Sequence, residues 1–418
     1  MYHKIILLIS EFFHDLRNQK TRAFLTIFAV AWGTFSVVVL LAFGEGLSIQ
    51  MRRGLLANGD SIIKIYGGNT SEEYHGLPKG RSIRLVSRDA KLLLKTIPDI
   101  DMASPAYGGR YAAEYNNKIT TSGYTVGVNP YFEDMRRMYP VEGGRFLNDI
   151  DMQKKRRVAV LGSEIAKYLF GDEDPVGKEF MLDSNTFTVI GKMAPKFQNS
   201  MSNGPDDERI VIPYTTFESV WSRRNVWHIA IRPRISNLHM EVRQRVMEVM
   251  GAKYQFDPTD DRALHFSDSV EYEKGGAKVF QGIQIFLGAV GGMTLFIAGV
   301  GIANIMYVVV KERTQEIGVR RAIGARRRHI IAQFILESVM LTSLGGVIGI
   351  GLAMGVVSIM LMIPVEGNFA LQMIGRPTFS MNTAIFTIGV LITIALLAGV
   401  YPARRASRIE PVDALRYE

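Results

Sequence analysis

The sequence predicts a membrane protein: four transmembrane α-helices plus an amphipathic N-terminal helix, with a large α+β extracytoplasmic domain between helices 1 and 2. Three observations carry that expectation. Four apolar segments, 23–43, 280–310, 330–363 and 383–401, are near or above the roughly 20 residues a helix needs to cross a hydrocarbon core. A compact connector at 311–329, KERTQEIGVRRAIGARRRH, holds seven Lys or Arg against two Glu, an excess that marks a short loop as cytoplasmic. The long stretch 44–279 is polar and punctuated by Gly and Pro, and no part of it is apolar for long enough to span.

Residues 1–22 open the chain. Ile5, Leu8, Ile9, Phe12, Phe13 and Leu16 fall largely on one helical face, with Glu11, His14, Asp15 and Arg17 off it, the pattern of an interfacial helix lying along the membrane. A secretory signal is a poorer reading, because the apolar run 5–9 is short and Glu11 and Asp15 follow it at once. Lys20 and Arg22 precede the first span, so the amino terminus is expected inside and residue 44 onward outside. In the outer region, β-rich runs at 61–66, 121–128, 157–161, 186–190, 210–212 and 227–231 suggest strands, and helical patterns appear at 87–96, 163–170 and 238–250. An α+β domain follows, with room for two lobes. Asp206, Asp207 and Glu208, after Asn203, Gly204 and Pro205, read as a solvated loop.

The second apolar segment, 280–310, would be about 46 Å long as a helix, against a bilayer core of about 30 Å. Unless strongly tilted, it should project as a stalk beneath the soluble domain. In the connector, Arg313 to Ile323 can form a short helix with Glu316 and Arg320 at i,i+4, and Gly324 suits its C-terminal stop. Gly288 and Gly292, Gly345 and Gly349, and Gly351 and Gly355 are each four apart, a spacing that lets helices approach closely. Glu337 is the one acidic residue well inside a span. Such a group defaults to a functional role, and its shallow place in 330–363 favours helix positioning over proton transfer. An outer loop at 364–382 and the fourth span then return the tail, 402–418, to the cytoplasm.

Composition bounds the rest. The net charge of +9 is concentrated in the amino-terminal piece and the connector, so it follows topology and argues against nucleic acid as a partner. Without Cys there are no disulfides, thiolate nucleophiles or Cys-ligated metals. The sequence holds no GxxxxGK(S/T) phosphate loop, no HExxH and no GxSxG, and its seven His are scattered. No catalytic, cofactor-binding or metal-ligating residue is expected in the chain, which is read as a non-enzyme.

On Glu312, Arg313, Glu316, Ile317, Gly318, Arg320, Ala322, Gly324 and Ala325, the connector resembles the cytoplasmic coupling region of MacB/FtsX-like ABC transporter permeases, the transmembrane subunits of type VII ABC transporters. The run RNQKTRAFLTIFAVAWGTFSVVVLLAFGEGL resembles that family's first span, and FILESVMLTSLGGVIGIGLA its third. VAVLGSEIAKYLFG, DPVGKEF and IVIPYTTF resemble its MacB-type periplasmic core domain. Pro402, Ala403, Ala406, Ile409, Pro411, Ala414 and Leu415 resemble its terminal motif. The likeness is weakest over 66–113 and 232–273.

The resemblance implies a multi-pass protein of the bacterial inner membrane with both termini cytoplasmic. It implies ATPase coupling through Glu312, Arg313, Glu316, Ile317, Arg320, Arg321, Ala322 and Gly324. Because the chain begins at the amphipathic helix, the nucleotide-binding partner is expected as a separate dimeric ABC ATPase that binds the ATP and Mg. Further implied partners are a second permease, identical or paralogous, a periplasmic adaptor and an outer-membrane conduit. The implied function is mechanotransmission: ATP hydrolysis drives work in the periplasm, for efflux of a substrate there or extraction of a lipid-anchored one. The alternative is an FtsX-type regulator that passes ATPase state to a cell-wall hydrolase, for which the outer domain is larger than expected. A membrane enzyme or receptor of another kind is disfavoured by the missing active-site patterns.

Overall fold

A computed structural model describes residues 20–56, 59, 61–196, 204–364 and 375–407. The interfacial helix expected in 1–22 therefore lies outside the described residues up to position 19, as do most of the outer loop and the tail beyond 407. The chain divides into two compact units, one of Met1–Gln50 with Lys278–Glu418 and the other of Met51–Ala277. The first helix, α1 (Lys20–Leu56), is 37 residues long and continues past the boundary expected at residue 43. Glu45, Arg52 and Arg53 end the apolar stretch but not the helix, since no Pro interrupts it.

The unit Met51–Ala277 is built on one mixed sheet. Its strands are β1 (Ile63–Gly67), β2 (Ile100–Arg110), β3 (Ala113–Tyr115), β4 (Lys118–Thr120), β5 (Tyr124–Val128), β6 (Val158–Leu161), β7 (Glu179–Leu182), β8 (Asn185–Lys192), β9 (Arg209–Pro213), β10 (His228–Pro233) and β11 (Leu264–Asp268). They lie in the order β11-β1-β10-β2-β5-β9-β6-β8-β7-β3-β4. The pairs β5 with β9 and β6 with β8 are parallel and the others antiparallel. The long β2 joins the two halves, pairing through Ile100–Ala106 with β10 and through Tyr107–Arg110 with β5.

Helices cover this sheet: α2 (Ser87–Thr96), α3 (Phe132–Arg136), α4 (Asp149–Gln153), α5 (Ser163–Phe170), α6 (Tyr214–Trp221) and α7 (His239–Tyr254). Successive residues of a strand point to opposite faces. Accordingly Ile210 and Ile212, Ile229 and Ile231, and Ala159 and Leu161 join one core with α2, α5 and α7. Their neighbours Val211, Ala230 and Val160 join a second core with Phe132, Met135 and Met152. Strands buried on both faces explain why VAVL and IVI read as unbroken apolar runs.

Four further helices complete the chain: α8 (Ser269–Glu312), α9 (Thr314–Ala322), α10 (Arg327–Leu361) and α11 (Met381–Ser407). Among the described residues, four helices are long and apolar enough to cross a membrane: Ala23–Gly54 within α1, α8, α10, and Thr383–Arg405 within α11. The 44 residues of α8 correspond to roughly 66 Å of helix, about twice a bilayer core.

One of the three expected glycine pairs makes a close helix contact. A Cβ added at Gly349 would lie 2.5 Å from the Ala31 carbonyl oxygen and 2.7 Å from Thr34 Cβ, and one at Gly345 would lie 2.7 Å from Val30 Cβ, so α10 meets α1 almost backbone to backbone. Around Gly288, Gly292, Gly351 and Gly355 an added Cβ meets nothing within 4 Å, so the close packing expected of those pairs is not found among the described residues. Gly349→Leu is expected to overpack this seam at a cost of about 1–3 kcal/mol, lowering the thermal midpoint in detergent, whereas Gly351→Leu leaves it unchanged.

Candidate functional site

The connector is shaped by two local devices. At the end of α8, the Thr314 hydroxyl donates to the carbonyls of Val310 (3.1 Å) and Lys311 (2.8 Å), which satisfies backbone acceptors that the helix end leaves open. Arg313 then becomes the N-cap of α9, its carbonyl accepting from the Ile317 amide at 3.0 Å. At the other end Gly324 adopts φ +101°, and the amides of Gly324 and Ala325 return to the carbonyls of Arg321 and Arg320 at 3.0 Å each. A side chain would strain that left-handed stop.

The helix is thereby given two faces. Inward, Ile317 is buried in one cluster with Val309, Val310, Ile330, Phe334 and Ala403. Arg320 Nη1 donates to Gln333 Oε1 at 2.9 Å, and Arg313 Nη1 lies 3.6 Å from Glu337 Oε2. Ile330, Gln333, Phe334 and Glu337 stand at i, i+3, i+4 and i+7, one stripe of α10. Glu312, Glu316, Ala322 and Gly324 are exposed, and Arg321 is half-buried. Of the residues expected to couple, Arg313, Ile317 and Arg320 thus hold the helix to α10, Glu316 stands exposed at the rim of that seam, and Glu312, Ala322 and Gly324 are exposed.

Sequence reasoning missed two of the outward residues. Val319 is 42% exposed and Ile323 82% exposed, one helical turn apart. An apolar pair standing bare beside Glu316, Arg320 and Ala322 has the makeup of an interface, with apolar anchors inside a polar rim. The available signal was the helical spacing of Val319 and Ile323 away from Ile317.

The outer unit holds a second charged constellation, which corrects the reading of Asp206 to Glu208 as a solvated loop. Asp206 is buried, with Arg136 at 2.9 Å, Arg209 at 2.9 Å and Lys196 at 2.7 Å. The loop signal Asn203-Gly204-Pro205 was local, whereas Arg136 comes from 70 residues away. Burial opposes ionisation of Asp206, but Arg136, Arg209 and Lys196 outweigh it and hold its carboxyl well below the usual carboxylate range. Lys64 on β1 is affected oppositely. Burial first, then the charges of Arg136 and Arg209, push its ammonium down to about 7. Burial and the same cations, with Lys64, push His228 well below its ordinary value.

A base whose folded pKa lies below its unfolded value near 10.4 is most costly at low pH, and stability rises with pH between the two values. Lys64→Met is therefore expected to raise the thermal midpoint at pH 7 and below, by about 2–4 °C for each kcal/mol of relieved charge burial. It should also flatten the pH dependence above 7. Differential scanning of the intact protein in detergent measures both.

The profile of the MacB-like periplasmic core domain matches residues 23–248, more than half of the chain, and that of the FtsX-like permease C-terminal region matches residues 288–411. The chain belongs to the MacB/FtsX-like ABC transporter permeases. This permease is 31% identical over 416 residues to the macrolide export ATP-binding/permease protein MacB of Bdellovibrio bacteriovorus, covering 98% of the chain and 61% of the relative. It is 30% identical over 402 residues to the pyoverdine export ATP-binding/permease protein PvdT of Pseudomonas aeruginosa, covering 95% and 56%. The chain thus spans about three fifths of the length of the curated relatives it matches. Among solved structures, the periplasmic region of MacB from Actinobacillus actinomycetemcomitans aligns with a TM-score of 0.41 at 18% identity, covering 52% of this chain and 94% of that one.

Proposed function

We propose that this permease couples ATP hydrolysis on a separate dimeric nucleotide-binding subunit to conformational work beyond the membrane. The work expels a substrate from the periplasmic side or extracts a lipid-anchored one. The observation that carries this reading is the two-faced connector helix α9: its inner face is fixed to α10, and its outer face offers Val319 and Ile323 among exposed charges. A helix so held passes an applied push to the spans rather than yielding to it. ATP and Mg belong to the partner in this reading, both termini are cytoplasmic, and a second permease copy or paralogue completes the transmembrane unit. The export named for MacB and PvdT supports an exporter over a regulator of wall hydrolysis.

Purification of the intact permease in mild detergent, followed by identification of co-purifying chains and an ATPase assay, tests the reading. The expected result is a stoichiometric phosphate-loop ATPase whose recovery falls on Ile323→Asp. Stable recovery of a cell-wall hydrolase with the ATPase would support the regulatory alternative instead. Recovery of folded permease with no ATPase contradicts the coupling role.

A further inference from the structure

The seam between α9 and α10 has an ionisable pair at its deep end. Glu337 stands ten residues into α10, roughly 15 Å along its axis, and its carboxylate meets the guanidinium of Arg313 at 3.6 Å with both side chains mostly buried. A carboxylate within a span is costly unless paired. Its partner Arg313 is the single residue at which α8 gives way to α9. Above this pair the seam is closed by Ile317 against Ile330 and Phe334, and by the Arg320 to Gln333 hydrogen bond.

Beyond Glu337, α10 buries Ser338, Leu341, Thr342, Gly345 and Gly349. Ser338 is met by Gly399 of α11, where an added Cβ would lie 2.5 Å from its Oγ, and Gly345 and Gly349 lie against α1. One helix therefore grips the connector at its start and the first span along its middle. We propose that Glu337 is a positioning residue: paired with Arg313, it fastens the break between α8 and α9 to α10, so that displacement of the connector reaches α1 through α10 as well as travelling along α8. The inference rests on the connector receiving the ATPase, as proposed above.

The chain has no Cys, so spin labels at Q315C and L336C report the spacing of connector and span in the full-length permease. Glu337→Gln keeps the shape and removes the charge, and Glu337→Asp keeps the charge. In Glu337→Gln the label distances are expected to broaden and permease-dependent ATPase stimulation to fall about ten-fold, with recovery of the ATPase unchanged. Glu337→Asp should retain narrow distances and stimulation within about two-fold of the parent protein, a rescue that simple filling of space would not give. Narrow distances and full stimulation in Glu337→Gln overturn the inference, as does failure of both variants alike. Should no ATPase bind even the parent chain, the coupling reading fails, while the distance measurement still decides whether Glu337 fastens the seam.

Discussion

Reversing charge at Glu312 and Glu316 together is expected to abolish coupling to the ATPase while the outer unit stays folded. Both carboxylates are exposed, Glu316 at the rim of the seam with Ile330, Gln333 and Phe334, and neither belongs to the apolar cluster around Ile317. The substitution therefore leaves the apolar packing of Ile317 in place and falls on the exposed charges of the connector. Removing one partner of a close interfacial charge pair costs about 2–5 kcal/mol, roughly 30-fold or more in affinity. The double reversal Glu312→Lys with Glu316→Lys adds repulsion to that loss. Transport at background level, together with an unshifted unfolding transition for the outer unit, is the expected outcome. Full transport in the double variant would remove the connector from the mechanism.

The second large effect is expected in the outer unit. Asp206→Asn leaves Arg136, Lys196 and Arg209 packed together without the carboxylate they share. Breaking a buried pair by removing one partner costs about 3–5 kcal/mol, or roughly 6–20 °C at about 2–4 °C per kcal/mol for a domain of this size. The sign with pH is fixed by the direction of the Asp206 shift. Its folded pKa lies below the unfolded value near 3.9, so its contribution is fully present above about pH 4 and is lost as the pH falls toward the folded value. The parent protein should accordingly lose stability more steeply in acid than Asp206→Asn does. A double-mutant cycle with Lys64→Met should show a smaller cost of Asp206→Asn, because one of the facing cations is then absent. Glu173→Gln, in an exposed pair with Lys178, leaves the midpoint where it was.

The membrane helices were the most legible part of the fold, because length and apolarity report directly on a hydrocarbon solvent. Local pattern likewise located α2 at 87–96 and α5 at 163–170, and the strands β1, β5, β6, β8, β9 and β10 fall on the runs read as strands. The longest strand was missed. Its sequence, IDMASPAYGGR, carries one Pro, two Gly and a single β-branched residue, so only pairing with β10 and β5 on its two halves makes it a strand. The hairpin of β3 and β4 and the short helices α3 and α4 were missed for a similar reason, being too short to show a period.

At the candidate site, the charged residues of the connector and the Gly324 stop were readable from spacing. The division of labour among them was not. That Arg313 and Arg320 turn inward to Glu337 and Gln333 while Val319 and Ile323 stand bare depends on where α10 lies, and both of those α10 partners stand beyond the connector. Asp206 was misread on the same principle, since its partner Arg136 is 70 residues away in sequence.

The most direct measurement is site-specific cross-linking from the outer face of the connector. A single Cys introduced at Ile323 and modified with a benzophenone would be activated in the complex, with Ile150→Cys on the outer unit as the exposed control. Capture of a phosphate-loop ATPase from position 323, and not from position 150, is the expected result. A co-purified ATPase that position 323 fails to capture would show that the nucleotide-binding partner docks elsewhere, and would contradict the assignment of α9 as the coupling helix.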